Sequence, residues 1–193
     1  MKSVLCFLVA IAFIMSNCAS RQVVRVDEKA QIDLSGRWND TDSKLVAEEM
    51  IRDSLSRIWL TDFIEAKGKK PTVVVGVVRN KTHELISTET FIKDMEREFV
   101  NSGKVKAAQA GEAREELRRE RASQQEFASP ETVKKWGREK GADFILQGVI
   151  NSIVDTISNK KVVFYQIDLE LTDIESNEKV WIGSKKIKKF IKN

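Results

Sequence analysis

The sequence predicts an α+β fold, a mixed and largely antiparallel sheet with flanking helices in a single domain. Three observations carry that prediction. Apolar residues at helical spacing alternate with a β-branched run through the first part of the chain, strand patterns follow one another from Phe144 onward, and turn-forming residues separate the segments. Helices and strands interleaved early, then strands in succession, favour a sheet of mixed direction with helices packed against it. The length of 193 residues suits one domain with a substantial core plus a tail, and no internal repeat interrupts it.

The elements follow in order. Ala19 to Asp33 is polar, with Val23, Val24, Val26 and Ile32 too scattered to form a face, and reads as a tether or an added edge strand. Asn39-Asp40-Thr41-Asp42-Ser43 offers cap residues ahead of a helix over Leu45 to Leu60, whose Ala47, Ile51, Leu55, Ile58 and Trp59 share one side. Lys67 to Pro71 breaks the chain before a strand at Thr72 to Val78, apolar enough to be buried on both faces. A helix from Thr88 to about Asn101 sets Phe91, Ile92, Met95 and Phe99 on one side, with Gly103 in the left-handed cap position. Val105 to Gln109 suits a short strand. Gly111 to Gln125 mixes Arg114, Glu115, Glu116, Arg118, Arg119, Glu120 and Arg121 as a solvated helix would. Ser129-Pro130-Glu131 opens a further helix that Gly141 ends. Phe144 to Thr156, the alternating Val163 to Leu171, and Val180 to about Ile191 then form an antiparallel meander, turning at Ser158-Asn159-Lys160 and at Glu175 to Glu178.

Ahead of this domain stand the marks of export. Lys2 precedes an uncharged apolar run, Val4 to Met15, which is too short to cross a bilayer and ends at Met15-Ser16-Asn17-Cys18. Small or polar residues directly before a cysteine resemble the lipobox of bacterial lipoproteins. That resemblance implies cleavage ahead of Cys18 and attachment of a diacylglycerol to its thiol. An ordinary secretory signal cut nearby is the alternative. Cys6 lies inside the signal, so the mature chain offers Cys18 no disulfide partner. The expected organisation is a signal at 1–17, a lipidated start and short tether at 18–34, and a globular domain at 35–193.

Charge and chemistry narrow the function. There are 33 Lys plus Arg against 29 Asp plus Glu with the signs interspersed, and loss of Lys2 with the signal lowers the formal charge from +4 to +3. Such a surface, on an exported chain, gives no reason to expect nucleic acid. His83 is the single histidine, in a polar stretch, and no second His or Cys stands at metal-ligand spacing. No serine sits in a nucleophile elbow. Gly76 and Gly148 stand singly within strand signals, where close packing or a bulge is the usual meaning, rather than in a phosphate-binding pattern. The expectation is a protein that is not an enzyme and needs neither cofactor nor metal.

Two surface features suit binding. The run Lys185-Lys186-Ile187-Lys188-Lys189-Phe190-Ile191-Lys192 fits anionic lipid, an anionic wall polymer or an acidic protein patch, and reads first as a lysine-protected edge strand. Of the four tryptophans, Trp59 and Trp136 stand at helix spacing and belong to a core, whereas Trp38 and Trp181 are open to a role as partner anchors.

Several strings resemble one family. Gly36-Arg37-Trp38-Asn39-Asp40-Thr41-Asp42-Ser43, Pro71-Thr72-Val73-Val74-Val75-Gly76 running on to Arg79-Asn80-Lys81, and Asn101-Ser102-Gly103-Lys104-Val105 come first. Gly141-Ala142-Asp143-Phe144-Ile145-Leu146-Gln147-Gly148 and Lys179-Val180-Trp181-Ile182-Gly183 follow in consistent order. Together they resemble the LpoB-type activators of penicillin-binding proteins, from about Ser35 to the end. The resemblance implies an outer-membrane lipoprotein, anchored in the bilayer through acylated Cys18, whose periplasmic domain is similar to the amino-terminal domain of TolB. It implies binding to a class A penicillin-binding protein, a bifunctional peptidoglycan synthase, and stimulation of its glycan polymerisation and cross-linking by a monomeric activator. Arg37, Trp38 and Asn80 are the expected partner-facing residues. The tether here is short, spanning roughly 55 Å fully extended and about 22 Å root mean square as a flexible coil. A non-catalytic envelope scaffold or assembly lipoprotein with a TolB-like or CsgG-like domain is the alternative.

Overall fold

The protein is described from a computed structural model that covers residues 23–27, 30–127 and 141–192. The signal and Cys18, the helix expected from Ser129, and Trp136 fall outside these residues. Residues up to Gln31 form one unit and residues from Ile32 another. In the first, residues 23–27 carry no regular structure and are exposed.

The second unit begins with a capped helix, α1 (Asp40–Ser54). Asn39 Oδ1 accepts from the Asp42 N–H and the Asp42 carboxylate accepts from the Asn39 N–H, each at 3.0 Å, a reciprocal box that satisfies two helix-end donors. The single helix expected as far as Leu60 is in fact two. The Ser54 carbonyl is taken by the Trp59 indole at 2.7 Å and by the Arg57 N–H at 3.1 Å, so the chain turns and restarts as α2 (Ile58–Lys67). The turn leaves Ile58 74% exposed and sends Trp59, Leu60 and Phe63 inward. Gly68, at φ +63°, ends α2 in the left-handed conformation that glycine adopts without strain.

Strand β1 (Thr72–Lys81) carries a bulge between Val75 and Val78. The bulge resets the alternation, so that Val73, Val75 and Val78 are buried while Val77 is 57% exposed. The strand is therefore covered chiefly on one face rather than on both. Helix α3 (Thr88–Ser102) buries Phe91, Met95 and Phe99 and ends at Gly103. A short β2 (Lys106–Ala108) and α4 (Gly111–Phe127) follow. As its charge pattern predicts, α4 is solvated: none of its residues to Gln124 is buried, and Arg118 pairs with Glu115 at 2.6 Å.

Strands β3 (Phe144–Ile157), β4 (Lys160–Asp173) and β5 (Lys179–Lys192) form the meander. The sheet order is β2-β1-β3-β4-β5, with β1 parallel to β2 and β3 and the remaining pairs antiparallel. The edge position expected for the lysine-rich last strand is thus observed. Helices α1 and α3 pack on each other, α3 lies on β1 and α1 on β5, and the core fills the space between these helices and the sheet. Tyr165, Ile167, Leu169 and Leu171 of β4 are fully buried there. Among the described residues, every buried apolar residue lies between Val46 and Trp181. A Cβ at Gly148 would meet the Asp168 carbonyl oxygen at 2.5 Å and the Leu169 side chain, the close approach its place within a strand suggests.

Candidate functional site

The end of the sheet where β1 stops and β3 turns into β4 gathers the residues that the sequence singles out. Asn80 shapes the loop after β1: its Nδ2 donates to the Glu84 carbonyl at 2.7 Å, and its Oδ1 accepts from the Thr82 N–H at 2.9 Å and hydroxyl at 2.7 Å. Folded this way, the loop turns the Glu84 carboxylate inward. Its two oxygens accept from the Trp38 backbone N–H at 3.1 Å and from the Tyr165 hydroxyl at 2.8 Å. Burial, reinforced by the Glu84 hydrogen bond and charge, pushes the Tyr165 phenol well above its ordinary value. The Trp38 ring packs edge-on against Phe91 and Tyr165, and its indole N–H donates to Ser43 Oγ at 2.8 Å.

A second junction lies beside the first. Lys189 of β5 donates to Asp42 at 2.6 Å, to Asp33 at 2.8 Å and to the Arg37 carbonyl at 3.0 Å. Burial works against its charge, but the two carboxylates more than offset that and hold Lys189 above the usual lysine range. Asp33 is held below the usual carboxylate range, chiefly by the same hydrogen bond. Segment 33–39 is thereby fastened to the start of α1, to the 82–86 loop and to the end of β5.

These contacts leave a shallow groove of about 410 Å³ lined by Arg37, Trp38, His83, Glu84, Leu85, Ile86, Val154 and Lys161. Arg37 is exposed, Trp38 shows only an edge, and Leu85 stands fully clear of the surface. His83 is exposed and its backbone N–H donates to Ser152 Oγ at 3.3 Å. Of the three expected partner-facing residues, the structure places Arg37 and Trp38 in the groove, while Asn80 builds the loop that walls it. Trp181 is buried, and its indole N–H donates to Asp53 at 2.8 Å, a bond that holds that carboxyl below its usual range. Glu84 and Leu85 were not singled out, and Lys189 stood only within the lysine-rich last strand, because nothing in a local pattern marks which polar residue will meet a buried tyrosine or a distant helix start. A second hollow, at the opposite end of the sheet, has its Asp143 carboxylate occupied by the Thr72 N–H at 2.7 Å and by Lys69 at 3.0 Å.

The groove presents an exposed arginine and leucine and a half-buried lysine around Trp38, an arrangement suited to recognition. Among the described residues no group of His, Cys, Asp and Glu is placed to hold a metal ion, and no helix is long and apolar enough to cross a membrane. The fold defines a small α+β module with a groove at one end of its sheet.

Residues 42–187, well over half of the chain, match the family described as peptidoglycan-synthase activator LpoB, and the protein belongs to that family. Among curated proteins none matches it. The carboxy-terminal domain of LpoB from Escherichia coli is similar over 76% of this chain and 98% of its own, at 15% identity and a TM-score of 0.42. The solution structure of LpoB from Escherichia coli is similar over 93% of this chain and 87% of its own, at 12% identity and 0.43. Lipoprotein GNA1162 from Neisseria meningitidis is similar over 62% and 83%, at 15% and 0.43. At these TM-scores the structural likenesses carry no argument by themselves.

Proposed function

We propose that this protein is a lipoprotein, acylated on Cys18 and held at the periplasmic side of the outer membrane, that binds a class A penicillin-binding protein and stimulates its peptidoglycan synthesis. The observation that carries the proposal is the family match over residues 42–187, since the family is one of peptidoglycan-synthase activators. The protein acts as a monomeric activator and not as a catalyst. Its signal occupies residues 1–17, its lipidated start and tether residues 18–34, and its globular domain residues 35–193. Partner contact falls on the sheet-end groove, with Arg37 and the exposed Leu85 as principal contacts and the Trp38 edge between them.

The test measures glycan-strand polymerisation and cross-linking by the organism's class A synthases with and without residues 19–193. A saturable rate increase for one enzyme is expected, and Arg37→Glu with Leu85→Ser should raise the half-saturating concentration by about tenfold or more while leaving the domain folded. Absence of binding and of any rate change with every class A synthase would overturn the proposal in favour of a non-catalytic envelope scaffold, whose partners crosslinking in the envelope would find.

A further inference from the structure

The β3–β4 hairpin has a second side, turned away from the helices. Its register sets Ile153, Phe164 and Lys188 in one row, Asp155, Val162 and Phe190 in the next, and Ile157, Lys160 and Lys192 at the tip, with Lys186 beside Gln166 behind them. Ile153 is 67% exposed, Ile157 72% and Phe190 63%. This is an apolar surface set among lysines, with Asp155 as the acid at that end.

The lysines of β5 divide by side. On the helix side Lys185 pairs with Glu49, and Lys189 pairs with Asp33 and Asp42. On the open side Lys186, Lys188 and Lys192, with Lys160 of β4, have no ion-pair partner among the described residues. The first two do a structural job. The other four are left for something outside the domain.

The chain leaves the domain at the same end of the sheet, on its helix side. Asp33 is bonded to Lys189, and Gly36 lies so close to Ile191 that a Cβ on the glycine would overlap that side chain. Only fourteen residues of sequence, 19–32, lie between Asp33 and Cys18.

We infer that the open face of β3, β4 and β5 at this end lies against an anionic phospholipid bilayer, the one into which acylated Cys18 is inserted. Exposed lysines are drawn to anionic headgroups, while Phe190, Ile153 and Ile157 enter the boundary between headgroup and acyl chain. The groove lies on the other side of the same hairpin, where Val154 and Lys161 face the helices, so a domain lying face-down keeps it open to the synthase. The nearness of the bilayer rests on the acylation proposed above, whereas the chemistry of the face does not.

The experiment is co-sedimentation of non-acylated residues 19–193 with vesicles of phosphatidylethanolamine and phosphatidylglycerol, and in parallel with vesicles of phosphatidylcholine alone. The expected result is salt-sensitive binding to the anionic vesicles only, weakened by at least about tenfold in the Lys186→Gln, Lys188→Gln, Lys192→Gln variant. Phe190→Ser with Ile153→Ser should weaken it as well. All these residues are exposed or line the open face, and retained far-ultraviolet circular dichroism checks that each variant folds. No binding to either vesicle, equal binding to both, or unchanged binding by the lysine variant would overturn the inference. So would loss of synthase stimulation by the lysine variant without any vesicle binding, which would give the face to an acidic protein surface. Vesicle binding without synthase stimulation would uphold the membrane face and remove the activator reading, so the two failures are distinct.

Discussion

Glu84 joins two parts of the chain that no local pattern connects, the backbone ahead of α1 and the centre of β4. Its partner Tyr165 is the single tyrosine, so tyrosinate absorbance reports on this residue alone. The folded phenol ionises above the ordinary value of 10.0 that it recovers on unfolding. Over that interval the unfolded chain binds fewer protons than the folded one. Stability from this group is therefore fully present below pH 10 and is lost as pH rises toward the folded phenol's own value, by about 1.4 kcal/mol per pH unit at most. Lys189, whose folded value is also raised, adds a loss of the same sign as pH passes its own folded value. Spectrophotometric titration should show native tyrosinate appearing well above the value found in concentrated urea, and Tyr165→Phe should abolish the tyrosine share of the alkaline stability loss. A native midpoint near 10 would refute the Glu84–Tyr165 junction. At this scale the sequence was least informative, because Glu84 and Lys189 take their roles from partners far away in the chain, while the Asn80 side chain bonds within four residues.

At the scale of elements most boundaries were legible, since capping residues, β-branched runs and alternation are local signals. The Asn39 box, the ends at Gly68 and Gly103, and the three long strands all follow from neighbours in sequence. What sequence could not display was tertiary. The break before α2 depends on the Trp59 indole reaching the Ser54 carbonyl, and the parallel pairing of β1 with β2 and β3 depends on crossovers. Two substitutions separate the local from the tertiary contribution. Asn39→Ala removes one side of the capping box and should cost about 1 kcal/mol in urea unfolding. Gly148→Ala places a methyl group against the backbone of β4 and should cost about 3 kcal/mol. A Gly148→Ala loss no larger than that of Asn39→Ala would contradict the close approach of these strands.

For the whole molecule, the domain ends where its fastenings end. A chain beginning at Ile32 should unfold at the same urea concentration as one beginning at Ala19, to within about 0.5 kcal/mol. A chain beginning at Asp40 loses Trp38, the Asn39 cap and the Asp33 contact to Lys189, and should be less stable by about 4 kcal/mol. Equal stability of all three would mean that segment 33–39 is not part of the fold. The groove was only half foreseen: Arg37 and Trp38 were singled out on a resemblance, while its loop wall and the opposite face of the hairpin emerged only once the strands were in register.

The meeting of Asp33 with Lys189 and of Gly36 with Ile191 brings the two ends of the domain together at one edge. The polypeptide is thus nearly a closed circle, and a short linker from Lys192 to Asp33 would complete it. Reopened at the turn between Asp173 and Lys179, at the far end of the sheet, the permuted chain would keep every strand pairing while its new amino terminus emerged from the other pole. A tether attached there would leave the domain from the pole opposite the groove, reversing which end of the sheet it holds outward.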